Sequence, residues 1–195
     1  MIAEKVLSIG KSEVHYLEAG STGDQEVLLL HGKNFKSATW LETGTVEMLE
    51  ASGFHVFAVD LPGFGKSAPN DMGKPETLKA IIQGLGLSMP VVVAPSMSGG
   101  YALPVVAVGD PPLKAFVAVA PVEVPDHAER LTGNPLPVLV IWGSDDPVVP
   151  PSNADLLCEA MPNSEKVEIE NGGHPTYLTS TDIFHSYLMG FLEGL

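Results

Sequence analysis

Five short apolar runs constrain this chain more than any other feature: "EVLLLHG" (26–32), "HVFAVDLPG" (55–63), "PVVVAPS" (90–96), "AFVAVAPV" (115–122) and "PVLVIWG" (137–143). A strand with one wet face alternates apolar and polar residues. These runs do not, so they predict strands covered on both faces, as in a parallel sheet. Helical patterns fall between most of them. They are "ATWLETGTVEMLEAS" (38–52), "PETLKAIIQGLG" (75–86) and Ser152 to Met161, whose opening Ser-x-x-Asp reads as a cap. A last helix sets Ile183, Phe184, Tyr187, Leu188, Phe191, Leu192 and Leu195 on one stripe. At the start, "KVLSIG" and "EVHYLEAG" flank a Gly10-Lys11-Ser12 turn and read as an antiparallel hairpin. Near the end, "EKVEIE" alternates, as an edge strand should. The expectation is one open, mostly parallel eight-stranded sheet with an antiparallel N-terminal hairpin and helices on both faces. It forms a single domain over residues 1–195.

Composition narrows the partners. A formal charge of −14, with only ten scattered Lys and Arg, supplies no basic patch for nucleic acid or an anionic membrane. No apolar run approaches the roughly 20 residues of a membrane span. The N-terminus lacks the basic and apolar regions of a signal peptide. Cys158 is the only cysteine, so no disulfide forms within the chain, and "DLLCEAM" suggests a buried helical position for it. A reducing, cytoplasmic compartment is expected, and nothing in the sequence calls for a cofactor.

In a sheet of this kind, ligands bind beyond the carboxyl ends of the strands. Those ends are unusually rich here: His31-Gly32-Lys33-Asn34, Asp60-Leu61-Pro62-Gly63, Pro95-Ser96-Met97-Ser98, Gly143-Ser144-Asp145-Asp146 and Gly172-Gly173-His174-Pro175. A serine, an acid and a histidine thus share one edge in that chain order, the order expected when a strand-turn-helix elbow presents a nucleophile. A serine hydroxyl needs a base to take its proton, and an imidazole needs a carboxylate to fix its tautomer. Singly, each has an ordinary explanation, as a helix cap, a loop histidine or a turn aspartate. Read as G-x-S-x-G, "VVVAPSMSGG" fits imperfectly with either Ser96 or Ser98 at its centre. Of the other histidines, His15 and His55 lie in strands away from this edge, and His185 lies on the last helix. His127, with Asp126 and Glu129, lacks a second cluster to complete a metal site. Asp60 reads as structural, pinning the turn after its strand.

These residues together resemble the α/β-hydrolase superfamily over nearly the whole chain. "LLLHG" resembles its oxyanion strand, "VDLPGFGKS" its D-x-P-G-x-G-x-S turn, "GSDDP" its acid turn and "GGHP" its histidine loop. "LLLHGKNFKSATW", "APSMSGGYALP" and "GGHPTYL" further resemble the small, lidless group typified by α/β-hydrolase domain-containing protein 14. The resemblance implies Ser96 as nucleophile, Asp146 as acid and His174 as base. It also implies an oxyanion hole from the backbone N–H groups of Met97 and Lys33, with Asn34 as second choice for the latter.

Proline supports the same register. With Ser96 central, Pro95 should sit in the turn, where no ladder donor is required, and Ser98 with the glycine pair should start the next helix. Only about a dozen residues, "EVPDHAERLTGN", separate "AVAPV" from "PLPVLVIWG", so no cap domain is expected and the site should be open and shallow. Asn34, Phe35, Tyr101 and Glu123 are candidate substrate contacts from their strand-end positions. The reaction implied is hydrolysis of a small-molecule ester or related short acyl group. The resemblance adds two alternatives: acyl transfer from protein lysine to coenzyme A, which would make a protein partner possible, and a non-catalytic interaction module.

Overall fold

The structure is a computed structural model that describes residues 1–109 and 111–195. One eight-stranded sheet organises it: β1 (Ala3–Ile9), β2 (Ser12–Ala19), β3 (Gln25–Leu29), β4 (Phe54–Val59), β5 (Val91–Pro95), β6 (Ala115–Val119), β7 (Val138–Gly143) and β8 (Ser164–Ile169). Their spatial order is β1-β2-β4-β3-β5-β6-β7-β8. β1 and β2 form the expected hairpin, Ile9 facing Ser12 across a two-residue loop. β2 meets β4 antiparallel, and every later pair is parallel. β8 is the edge, as its alternation predicts.

The apolar runs are buried on both faces for the reason their sequence gives. In β5, Val92 and Ala94 join one core while Val91 and Val93 join the other. The first core packs under α3 (Lys74–Gly84), α4 (Gly99–Val106), α5 (Val124–Leu131) and α6 (Ser152–Ala160). The second packs under α1 (Thr39–Glu42), α2 (Thr45–Ala51), α7 (Thr176–Thr179) and α8 (Thr181–Glu193). Between β6 and β7 the chain carries α5 alone, so no cap domain stands over the strand ends.

Four local expectations are corrected. The helix expected over 38–52 is two, because Gly44 is left-handed (φ 70°) and Thr43 turns its hydroxyl onto Thr45. Ser152 is not a cap. Pro150 and Pro151 start α6 instead, their carbonyls accepting from the Asn153 and Ala154 amides. On α8 the buried ridge is only Phe184, Leu188 and Leu192, while Ile183 and Tyr187 face outward. Cys158 is half-buried rather than buried.

The order of strands sets the site. From β3 the chain first adds β4 on one side and then β5 on the other, so β3 and β5 are neighbours at a topological switch point. The loops after β3 and β5 therefore open onto a common crevice. β7 and β8 deliver their own loops from the far side of β6.

Candidate active site

Ser96 follows β5 in a left-handed conformation (φ 51°), one that L-residues with a Cβ adopt only under constraint. The constraint is visible. Ser96 O accepts from the Val122 amide, and Ser98 Oγ turns back to donate to Pro95 O at 2.8 Å. A short 3-10 turn (96–98) then enters α4 at Gly99. A Cβ on Gly99 would lie 2.5 Å from the Pro121 side chain and 2.8 Å from Val122 O. Glycine is required there by close approach of two backbones.

Pro95 is not in the turn, contrary to expectation: β5 runs through it, opposite Val119. The ladder tolerates it for a specific reason. Leu30 N donates to Val93 O, and the next rung toward β3 would run from residue 95 to Leu30 O. Pro95 has no N–H to give, and Leu30 O accepts the Trp40 indole N–H instead, at 2.8 Å.

Asp146 and His174 arrive on two loops laced together. Ser144 N donates to Ile169 O, Asp145 N to Gly172 O, and Asn171 N to Ser144 Oγ. Gly143 closes the seam, since a Cβ there would lie 2.2 Å from Gly172 O. The Asp146 side chain is fully buried. Its Oδ1 accepts the Val148 and Val149 amides at 2.8 and 2.9 Å, leaving Oδ2 for His174 Nδ1 at 2.7 Å. His174 Nε2 lies 2.7 Å from Ser96 Oγ. Ser98 is wholly buried and bonded elsewhere, and Asp145 is exposed and bonded by Ser144. A hydroxyl joined to an imidazole whose other nitrogen meets a buried carboxylate is the arrangement that makes a serine nucleophilic.

Beside Ser96 lies a cavity of about 360 Å³, lined by Gly32, Lys33, Asn34, Phe35, Pro95, Met97, Val119, Val122, Val148, His174, Pro175 and Tyr177. Phe35, Val148 and Pro175 contribute to its walls from three different loops. Met97, within the 3-10 turn, has an amide that its own turn leaves without a partner. A bond from Phe35 N to Gly32 O closes the turn after β3, with Lys33 and Asn34 at its corners. Of the candidate substrate contacts, Asn34 and Phe35 line the cavity. Tyr101 and Glu123 do not. Tyr101 is buried among the residues of the first core, which raises its phenol pKa, and Glu123 is drawn off by Lys74 at 2.9 Å.

Sequence reasoning missed Val119, Val122, Val148 and Tyr177 as lining residues. Val122 and Val148 stand after strands and were within reach of the strand-end rule; Tyr177 was not. It comes from α7 and is turned inward by packing on Trp40, ring centroids 4.8 Å apart. Its burial pushes the phenol pKa well up, against a smaller opposing effect of the Gly32 backbone.

The supporting turns hold the edge together. Asp60 accepts Ser37 N at 2.7 Å, Lys66 N at 2.8 Å and faces His15 Nδ1 at 3.0 Å, as its structural reading predicts. Burial alone would raise its pKa, but the amide bonds outweigh burial and lower it. His31 is buried, its Nδ1 on Gly32 O and its Nε2 accepting Leu61 N. Burial lowers its pKa and keeps it neutral. Among the described residues, no three His, Cys, Asp or Glu side chains are grouped to hold a metal ion, and no helix is long and apolar enough to cross a membrane.

Comparison with known proteins agrees with this architecture. The profile of the family described as "alpha/beta hydrolase fold" matches residues 26–134 and 126–181. Protein ABHD14A of Rattus norvegicus is 36% identical, over 97% of this chain and 81% of its own. A human relative named "Putative protein-lysine deacylase ABHD14B" is 37% identical, over 87% of this chain and 83% of its own. Among solved structures, a "predicted CIB-like hydrolase" of Thermoplasma acidophilum superposes with a TM-score of 0.95 at 23% identity, covering 100% of this chain and 99% of that one. Carboxylesterase CesB of Bacillus subtilis superposes at 0.89 with 17% identity, covering 100% and 93%, a likeness of fold. With a family profile spanning most of its length and relatives above one-third identity, this chain belongs to the α/β-hydrolase fold family and is an enzyme of that fold.

Proposed function

We propose that the chain is a serine hydrolase of short carboxylic esters or related acyl groups, acting as one domain over residues 1–195. Ser96 attacks the acyl carbonyl while His174 takes its proton. Asp146 holds the imidazole in the tautomer that presents a bare Nε2 to the serine and stabilises the cation that forms. The amides of Met97 and of Lys33 or Asn34 receive the oxyanion. His174 then protonates the leaving group, and water, deprotonated by His174, releases the acyl group from Ser96. The observation that carries this reading is the unbroken bond series Ser96 Oγ–His174 Nε2 and His174 Nδ1–Asp146 Oδ2, both at 2.7 Å. A cavity of about 360 Å³ suits a short acyl chain.

A panel of p-nitrophenyl esters of increasing chain length tests the reading. Turnover should peak at short chains and fall to background in Ser96→Ala. Equal turnover by the variant would refute it. The deacylase-named relative favours a second reading, removal of acyl groups from protein lysines. An acetyl-lysine peptide turned over faster than any short ester would favour that reading. The complete Ser96–His174–Asp146 series argues against a purely non-catalytic module.

A further inference from the structure

The cavity holds a buried hydroxyl that the proposed hydrolysis leaves idle. Tyr177 is 2% exposed, and its ring is fixed against Trp40, Phe35 and Phe184. Its hydroxyl reaches the wall formed by Gly32, where a Cβ would stand 3.5 Å from the phenol oxygen. Among the described residues, no hydrogen-bond partner meets that oxygen. Leaving a buried hydroxyl unpaired costs its desolvation, and a phenylalanine would fill the same aromatic cluster without that cost. The retained hydroxyl therefore calls for a partner that arrives with a ligand.

The rest of the lining tells what that partner is. Ser96 and His174 are bonded to each other, the Lys33 and Asn34 side chains are exposed at the mouth, and Val119, Val122, Val148 and Pro175 are apolar. The phenol carries one proton, and among the described residues no acceptor in the wall takes it. An accepting oxygen is needed. A neutral carbonyl oxygen supplies that acceptor without bringing a charge against a wall whose Val119, Val122, Val148 and Pro175 are apolar.

We propose that Tyr177 determines specificity, donating to a second carbonyl on the acyl group, so that the site prefers short oxoacyl groups to alkanoyl groups of the same shape. A site built around a polar contact discriminates against an analogue lacking it, because the site's own group is then left unpaired. The inference rests on reading the cavity as the acyl pocket of the proposed hydrolase.

Matched p-nitrophenyl esters test it: levulinate against isocaproate, and acetoacetate against isovalerate, in which a methyl-bearing carbon replaces the carbonyl. Intrinsic ester reactivity cancels when the oxoacyl-to-alkanoyl ratio of kcat/KM is compared between wild type and Tyr177→Phe. One neutral hydrogen bond predicts that the ratio falls about three- to tenfold in Tyr177→Phe for at least one pair, with the alkanoyl rate held or raised. Unchanged ratios in both pairs, or equal loss on both esters, would make Tyr177 a structural residue and overturn the inference. If wild type turns over none of the four esters, the hydrolase reading fails and this inference with it, a result distinct from turnover without selectivity.

Discussion

At the residue scale the site is a set of spent and unspent hydrogen bonds. Asp146 uses Oδ1 on two backbone amides and keeps Oδ2 for His174, so replacing its charge leaves the loop bonded but frees the imidazole's tautomer. Asp146→Asn should lower kcat on a short p-nitrophenyl ester by about 10³–10⁴-fold with a melting temperature close to wild type. Activity within tenfold of wild type would remove Asp146 from the mechanism. Ser96 carries the opposite signature, a left-handed backbone at φ 51°. Ser96→Gly should exceed Ser96→Ala in stability by up to about 1 kcal/mol in urea unfolding, since only glycine adopts that conformation without cost. Equal stability would mean that the elbow stores no strain at this residue. The order serine, acid, histidine was legible in the sequence because Ser96 and Asp146 each follow an apolar run and His174 follows the alternating edge strand. Tyr177 was illegible because its inward turn depends on Trp40, far away in sequence.

At the scale of elements, the two-faced strands and the bounds of α3 and α6 were readable, while the break between α1 and α2 and the cap of α6 were not. Continuous apolar runs report burial on both sides, and β5 and β7 divide their residues between the two cores as such runs require. Gly44 and the Pro150–Pro151 pair act through local turn chemistry that periodicity does not register, and α8 buries a narrower ridge than its apolar stripe. Pro95 gives the most instructive correction. Its expected exclusion from the ladder fails, because Trp40 satisfies the carbonyl that the proline cannot. The seam between β7 and the histidine loop is equally an element-scale device. Gly143→Ala places a Cβ 2.2 Å from Gly172 O, so the loops carrying Asp146 and His174 must part. Denaturant unfolding should show a loss of about 2–3 kcal/mol, and ester turnover should fall at least tenfold. A variant with native stability and rate would show that the seam has slack.

Across the whole molecule, a buried histidine and a half-buried one tie stability to pH. Burial lowers the pKa of both His31 and His185, so the unfolded chain binds protons that the folded chain refuses. Their contribution is complete above the ordinary histidine value of 6.5 and declines as pH falls below it toward the lowered folded values. Unfolding free energy should therefore decrease between about pH 7 and pH 5, by at most ~1.4 kcal/mol per pH unit for each group. His31→Gln should be less stable at neutral pH but show a shallower slope; an unchanged slope would contradict the assignment. The sheet order, with its switch point between β3 and β5, also explains why the cavity, the elbow and the turn after β3 coincide. Its walls come from loops that the strand pattern locates but does not shape.

The central claim, that Ser96 is the nucleophile and Ser98 is not, is tested most directly by mass spectrometry of the protein after a fluorophosphonate probe. One adduct should form on Ser96, persist in Ser98→Ala and vanish in Ser96→Ala. An adduct on Ser98, or labelling that survives Ser96→Ala, would contradict the account.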